Sequence, residues 1–105
     1  MGGTMSAPYI HKATVSTAPG AASSASLRVN GGIWRHLIVR ANTANTTLFR
    51  VTVDDENDVT LRHYGYHEGD LNDTQIAIPV VGILTVRISS SSAAETYTIR
   101  VGVEA

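Results

Sequence analysis

The sequence contains no cysteine, a single lysine (Lys12), one tryptophan and one phenylalanine. Without cysteine there is no disulfide framework and no thiolate metal site. A small domain without such staples is held by its core or by oligomerisation. No run of about 18 apolar residues is present, which excludes a transmembrane helix. The opening MGGTMSAPYIHK lacks a basic stretch followed by an apolar one. No signal peptide is read there, so the protein is expected to be made soluble and released in the cytoplasm. Acid is missing from the whole first half. Residues 1–53 hold Lys12, Arg28, Arg35, Arg40 and Arg50, and residues 54–105 hold all nine acids against Arg62, Arg87 and Arg100. Either the halves intermix and neutralise each other, or complementary faces meet between subunits and set register. The net charge of −1 argues against a general nucleic-acid binder.

What the chain does contain is alternation. Ile76, Ile78 and Val80, then Leu84, Val86 and Ile88, then Tyr97, Ile99, Val101 and Val103 sit at every second position. A strand sends alternate side chains to opposite faces, so each run has one core face. The other face carries Thr85, Arg87, Thr96, Thr98 and Arg100. These are short polar groups and arginines, and the planar guanidinium suits an interface.

Further strands are read at 26–29, 33–41, 46–53 and 59–64. Phe49, Val51 and Val53 face one way, and Val59, Leu61 and His63 share a face. In 33–41, Ile33, Arg35, Leu37 and Val39 fall on one side and Trp34, His36, Ile38 and Arg40 on the other. Asn30-Gly31-Gly32 and the run Asp54 to Asp58 are turn signals. The segment GYHEGDLND, 65–73, reads as a polar loop. About seven or eight strands at this spacing, with no helical period, predict one all-β domain: an antiparallel β-sandwich or jelly roll. Residues 1–26 read as a flexible N-terminal arm or loop segment, with a candidate first strand at 8–16 carrying Ile10 and Val15 inward, and residues 27–105 as the sandwich.

Chemistry-bearing clusters are few. His63, His67, Glu68 and Asp70 offer imidazole and carboxylate to a metal. On a strand, however, His63 and His67 would stand about 13 Å apart. The Asp54–Asp58 run offers calcium-type ligands but lacks the glycine and distal glutamate of an EF-hand loop. There is no G-x-S-x-G elbow, and serines such as Ser89 to Ser92 fall in loops. No enzyme activity, cofactor or metal is therefore expected. Trp34, Tyr64 and Tyr66 could form an aromatic platform for sugar, so a carbohydrate-binding or adhesion module of a tail or cell surface stands as the alternative function.

The stretch DLNDTQIAIPVVGILTVRISSSSAAETYTIRV resembles the closing strands of bacterial pre-peptidase C-terminal-type β-sandwich modules. As a whole, a short cysteine-free β-protein with a Gly/Ser/Ala-rich start is similar in style to the decoration or cement proteins of tailed-bacteriophage capsids. That resemblance implies a non-catalytic virion protein, assembled in the host cytoplasm. It would form a homo-oligomer on the major capsid protein or other virion subunits, without nucleic-acid or membrane partners. Tyr9, Ile10, Trp34, Tyr64, Tyr66, Arg87 and Arg100 are the expected partner-binding residues.

Overall fold

The computed structural model describes residues 9–42 and 47–104. Nine strands follow in order: β1 (Tyr9–Thr17), β2 (Ser23–Arg28), β3 (Gly32–Ala41), β4 (Leu48–Asp54), β5 (Thr60–Glu68), β6 (Leu71–Asp73), β7 (Ile78–Val80), β8 (Ile83–Ser89) and β9 (Glu95–Glu104). Among the described residues there is no helix. The strands form two antiparallel sheets. One runs β1-β9-β3-β6, with β7 also paired to β3, and the other runs β2-β8-β4-β5. The expected all-β sandwich is what the chain forms.

The core lies between the sheets and comes from the alternation. Phe49, Val51, Val53, Leu84, Val86, Ile88, Tyr97, Ile99 and Val101 are all fully buried. Each side chain of this size contributes roughly 1.5–3 kcal/mol on burial. Phe49 packs on Tyr97 with ring centroids 4.9 Å apart. The Tyr97 hydroxyl is buried but satisfied by Ser91 Oγ at 2.7 Å, as a phenol tip in a core requires.

The strand count exceeds expectation because the loops hold short pieces. The run from Asp73 to Gly82, read as one strand, contributes only Ile78–Val80, which pairs with the start of β3. The polar segment 65–73, read as a loop, carries β5 to Glu68 and then β6, which pairs with Leu37–Val39. The turn at Asn30-Gly31-Gly32 is present, with positive φ at all three residues.

Four expectations are corrected. First, Trp34 faces the core. The ladder between β3 and β9 slips between Trp34 and His36, which pair with Val103 and Gly102. Arg35 is the extra residue of this β-bulge, and a bulge reverses the in–out parity beyond it. Trp34, Leu37 and Val39 therefore all point inward and are fully buried. Second, of the two readings of residues 1–26, the candidate first strand at 8–16 is present as β1, which pairs with β9 along its whole length. β2 begins at Ser23, before the expected boundary at 26, and residues 1–8 of the expected arm lie outside the described residues. Third, Ile10 points outward, 44 % exposed, while Val15 is buried as expected. Fourth, Val59 lies outside β5 and is exposed, and His63 is exposed too. Register shifts between β4 and β5 break the simple alternation there.

Candidate functional site

The two lateral edges of the sandwich differ. At the edge formed by β5 and β6 the sheets are tied together. The Tyr64 hydroxyl donates to Asp73 Oδ2 at 2.6 Å, and the Gln75 amide donates to Asp73 Oδ1 at 2.9 Å. Arg62 Nη2 donates to the Gln75 carbonyl at 3.2 Å, with its Nε 4.0 Å from Asp73. Burial, and then the hydrogen bond to Asp73, push the Tyr64 phenol well above its ordinary pKa. Burial alone would raise the Asp73 carboxyl. The Tyr64 hydroxyl, the Gln75 amide and Arg62 together outweigh it and hold Asp73 below the ordinary carboxylate value. A depressed carboxylate stabilises the fold above its unfolded pKa, and that contribution is lost as pH falls through the folded value. Asp73→Asn is therefore expected to cost about 1.5–3 kcal/mol at neutral pH. The gap to the wild type should narrow as both are titrated to acid. Urea unfolding of both proteins along a pH series checks this, and a gap independent of pH would refute it.

The opposite edge, formed by β1 and β2, is open. At the β1–β2 turn the strands are held, since Ser23 Oγ donates to the Ser16 carbonyl at 2.8 Å. Towards the start of β1 and the end of β2 they part around a cleft of about 360 Å³. Ile10, His11, Lys12 and Ala13 line one side and Ser26, Leu27 and Arg28 the other. No acid is among them. Lys12 stands directly opposite Arg100 in the β1–β9 ladder. Like charges so placed repel by a few tenths to about 1 kcal/mol.

The charge split explains this edge. Four cations of the chain are neutralised by acids from the second half: Arg35 by Glu104 at 2.9 Å, Arg40 by Asp70 at 3.1 Å, Arg87 by Asp54 at 3.1 Å and Arg62 by Asp73 at 4.0 Å. Arg50 lies over the Tyr66 ring at 4.5 Å. Among the described residues, Lys12, Arg28 and Arg100 have no acid within ion-pair distance. The intermixing of halves is thus real but incomplete, and the uncompensated remainder gathers at one edge.

The expected partner-binding residues are scattered. Ile10 lies in the cleft and Arg100 is a neighbour of Lys12. Tyr9 begins β1 opposite Val103, and its side chain falls outside the described residues. Arg87 is on the other sheet, in the row Ser24–Arg87–Thr52, so Arg87 and Arg100 face away from each other. The aromatic platform does not form. Trp34 is in the core, Tyr64 is half-buried and tied to Asp73, and Tyr66 is exposed beneath Arg50.

The histidines make local bonds instead of gathering. His63 Nδ1 is 3.2 Å from Thr52 Oγ1, and His67 Nε2 is 2.8 Å from the Asp70 carbonyl. Among the described residues no group of three His, Asp or Glu side chains could hold a metal. The Asp54–Asp58 run is a hairpin turn in which the Asp54 and Asp55 carboxylates are in use. Asp55 Oδ1 accepts the Asn57 and Val59 amides at 2.8 and 2.9 Å, and Asp54 accepts from Thr60 and Arg87. Lys12, Ser26 and Arg28 were not singled out from the sequence. The signal that could have found them is the long run without acid.

No family model matches this chain, and no curated protein matches it in sequence. Among solved structures it is similar to IMPa from Pseudomonas aeruginosa, determined in complex with an O-glycopeptide. The identity is 16 % and the TM-score 0.35, over 97 % of this chain and 13 % of that one. It is also similar to chains of infectious bursal disease virus. For the Gt strain the identity is 12 % and the TM-score 0.35, over 95 % of this chain and 31 % of that one. For the Gx strain the values are 11 % and 0.29, over 93 % and 33 %. The chain spans a third or less of the length of each, and overlaps this shallow leave function to be argued from the chain's own surfaces.

Proposed function

We propose that the chain is a non-catalytic structural protein of a virion, decorating or cementing a bacteriophage capsid through protein–protein contacts. One observation carries the reading: one edge of the sandwich is tied shut, while the other is a cation-lined cleft with no acid of its own. Cations without an acid partner at this edge suit a protein surface of opposite sign, where potential steers encounter and sets register. Of the aromatic side chains that a sugar site would use, Trp34 is buried and Tyr64 is tied to Asp73, which leaves Tyr66 alone exposed.

The test is cosedimentation of the purified protein with capsid shells assembled from the major shell protein encoded in the same genome. Saturable pelleting is expected at low salt, weakening as salt screens the exposed charges. Protein that stays in the supernatant at low salt overturns the proposal.

A further inference from the structure

The open edge presents backbone as well as charge. Ser16 and Thr96 are directly opposite in the β1–β9 ladder, and their hydroxyl oxygens meet at 3.0 Å. Their main chains turn away from each other. The Ser16 carbonyl accepts from Ser23 Oγ at 2.8 Å, and the Thr96 carbonyl accepts the Asn42 amide, just past β3, at 2.9 Å. Ser16–Thr96 is therefore a non-hydrogen-bonded pair, the kind whose side chains stand closest. The register of β1 on β9 runs without a shift from Tyr9 to Thr17. Ile10–Gly102, Lys12–Arg100 and Thr14–Thr98 are thus pairs of the same kind, and the N–H and C=O groups of Ile10, Lys12 and Thr14 point away from β9 to the open edge. β2 mirrors this across the cleft. The Val29 amide donates to the Gly82 carbonyl at 2.8 Å, so odd-numbered positions of β2 bond to β8 and the main chains of Ser26 and Arg28 face the open edge. Among the described residues neither edge has a further strand beside it.

The side chains of these residues point outward, Ile10 and Lys12 from one sheet and Arg28 from the other. Lys12 is the free end of the cross-strand row Lys12–Arg100–Ile38–Asn72, which contains no acid. A strand laid along β1 adds one residue to this row, beside Lys12. A carboxylate there neutralises the close Lys12–Arg100 pair, and a cation adds to its repulsion. The neighbours of that residue turn inward over the cleft, where Leu27 is buried and Ala13 packs on the core. A lysine on an edge strand ordinarily turns foreign strands away. With Arg100 behind it, Lys12 selects among them by charge.

We propose that the β1 edge takes an extended, acid-bearing segment of a partner protein as an added strand, its carboxylate paired with Lys12 and its flanking apolar residues over the cleft. Main-chain hydrogen bonds supply affinity and the carboxylate supplies choice. The inference rests on the reading of this edge as a docking edge, and names the conformation and chemistry of what docks.

The experiment measures solvent exchange of each backbone amide by nuclear magnetic resonance, with no shell protein present. The probe is the capped peptide Ser-Val-Glu-Val-Ser, and Ser-Val-Lys-Val-Ser is its control. In the free protein the Lys12 amide should exchange faster than those of His11 and Ala13, which lie in the β9 ladder. The glutamate peptide should slow Lys12 exchange by about tenfold when present at about ten times its Kd, and the lysine peptide should leave it unchanged. Lys12→Glu places a carboxylate opposite Arg100, which favours the fold, and should reverse the preference between the peptides. A Lys12 amide that the glutamate peptide leaves unprotected, equal protection by both peptides, or an unchanged preference in Lys12→Glu overturns the inference. Protection that appears without peptide and rises with protein concentration assigns the edge to a second copy and also overturns it. If the protein pellets with shells while its Lys12 amide ignores the glutamate peptide, the docking edge stands and strand addition falls. If it neither pellets nor responds, both fall.

Discussion

Trp34→Ala leaves the protein unfolded, or close to it, at physiological temperature. The indole is fully buried between the sheets, and its Nε1 donates to the His36 carbonyl at 2.9 Å. Removing a buried tryptophan costs about 3–5 kcal/mol through lost transfer energy and the cavity left behind. The whole stability of a domain is only about 5–15 kcal/mol. The lost hydrogen bond matters separately, because the His36 carbonyl sits just past the bulge. Trp34→Phe keeps most of the volume and loses the donor, so a smaller cost of about 1–2 kcal/mol is expected. Urea unfolding followed by circular dichroism measures both variants. Trp34 is the only tryptophan in the chain, so wild-type fluorescence reports its environment directly: blue-shifted when folded, shifting to the red on unfolding. An alanine variant as stable as the wild type would place this side chain outside the core and remove the bulge from the register of β3.

Gly32→Ala is the second large effect. Gly32 has φ of +147°, a conformation that residues with a side chain rarely adopt. A Cβ there would stand 2.5 Å from the Glu104 carbonyl oxygen and 2.9 Å from Val103 Cγ1. The first is backbone held in the β3–β9 ladder, where Ile33 pairs with Glu104, so it cannot swing aside as a surface side chain would. Backbone strain and overpacking together give an expected loss of about 2–4 kcal/mol. Gly20→Ala is the matched control. Gly20 also has positive φ, +75°, but nothing lies within 4 Å of the added Cβ. It should cost about 1–2 kcal/mol, from backbone conformation alone. Thermal unfolding of the pair separates the two terms, and equal losses would show that the approach to Glu104 is not tight.

The difference between what was legible in the chain and what was not follows from range. β8 and β9 could be read because their alternation is unbroken and period two is a purely local property. Leu84, Val86, Ile88, Tyr97, Ile99 and Val101 are all fully buried as that alternation requires. Trp34 was misplaced because a one-residue bulge at Arg35 leaves no local mark, being defined only against the partner strand. Ile10 was misplaced for a related reason. Positions 10 and 15 have opposite parity in a regular strand, so with Val15 inward opposite Tyr97, Ile10 falls on the outward face opposite Gly102. The open edge was illegible as a place. It depends on β1 pairing with β9 and β2 with β8, contacts that bridge most of the chain. The charge that makes the edge distinctive was in plain view, as a first half without acid. Which cations would stay unpaired was decided by Glu104, Asp70, Asp54 and Asp73, each meeting one arginine across the fold.

The position of β9 has a consequence for how the molecule comes into being. It is the last strand in the chain, yet it is the centre of its sheet, flanked by β1 and β3. Among the described residues β1 is the first strand, and β9 is its only partner within a sheet. On the ribosome, β2, β4, β5 and β8 are all available once Ser89 has emerged, so their sheet can assemble early. The other sheet must wait for Glu95–Glu104, and until then β1 and β3 have no strand between them. Closure by the most distant pairing in the chain places folding in the slow range, about milliseconds to seconds. The final strand thus acts as a latch on a half-built protein, and a chain cut short before it would keep one sheet and only β3 with β6 and β7 of the other, with β1 unpaired.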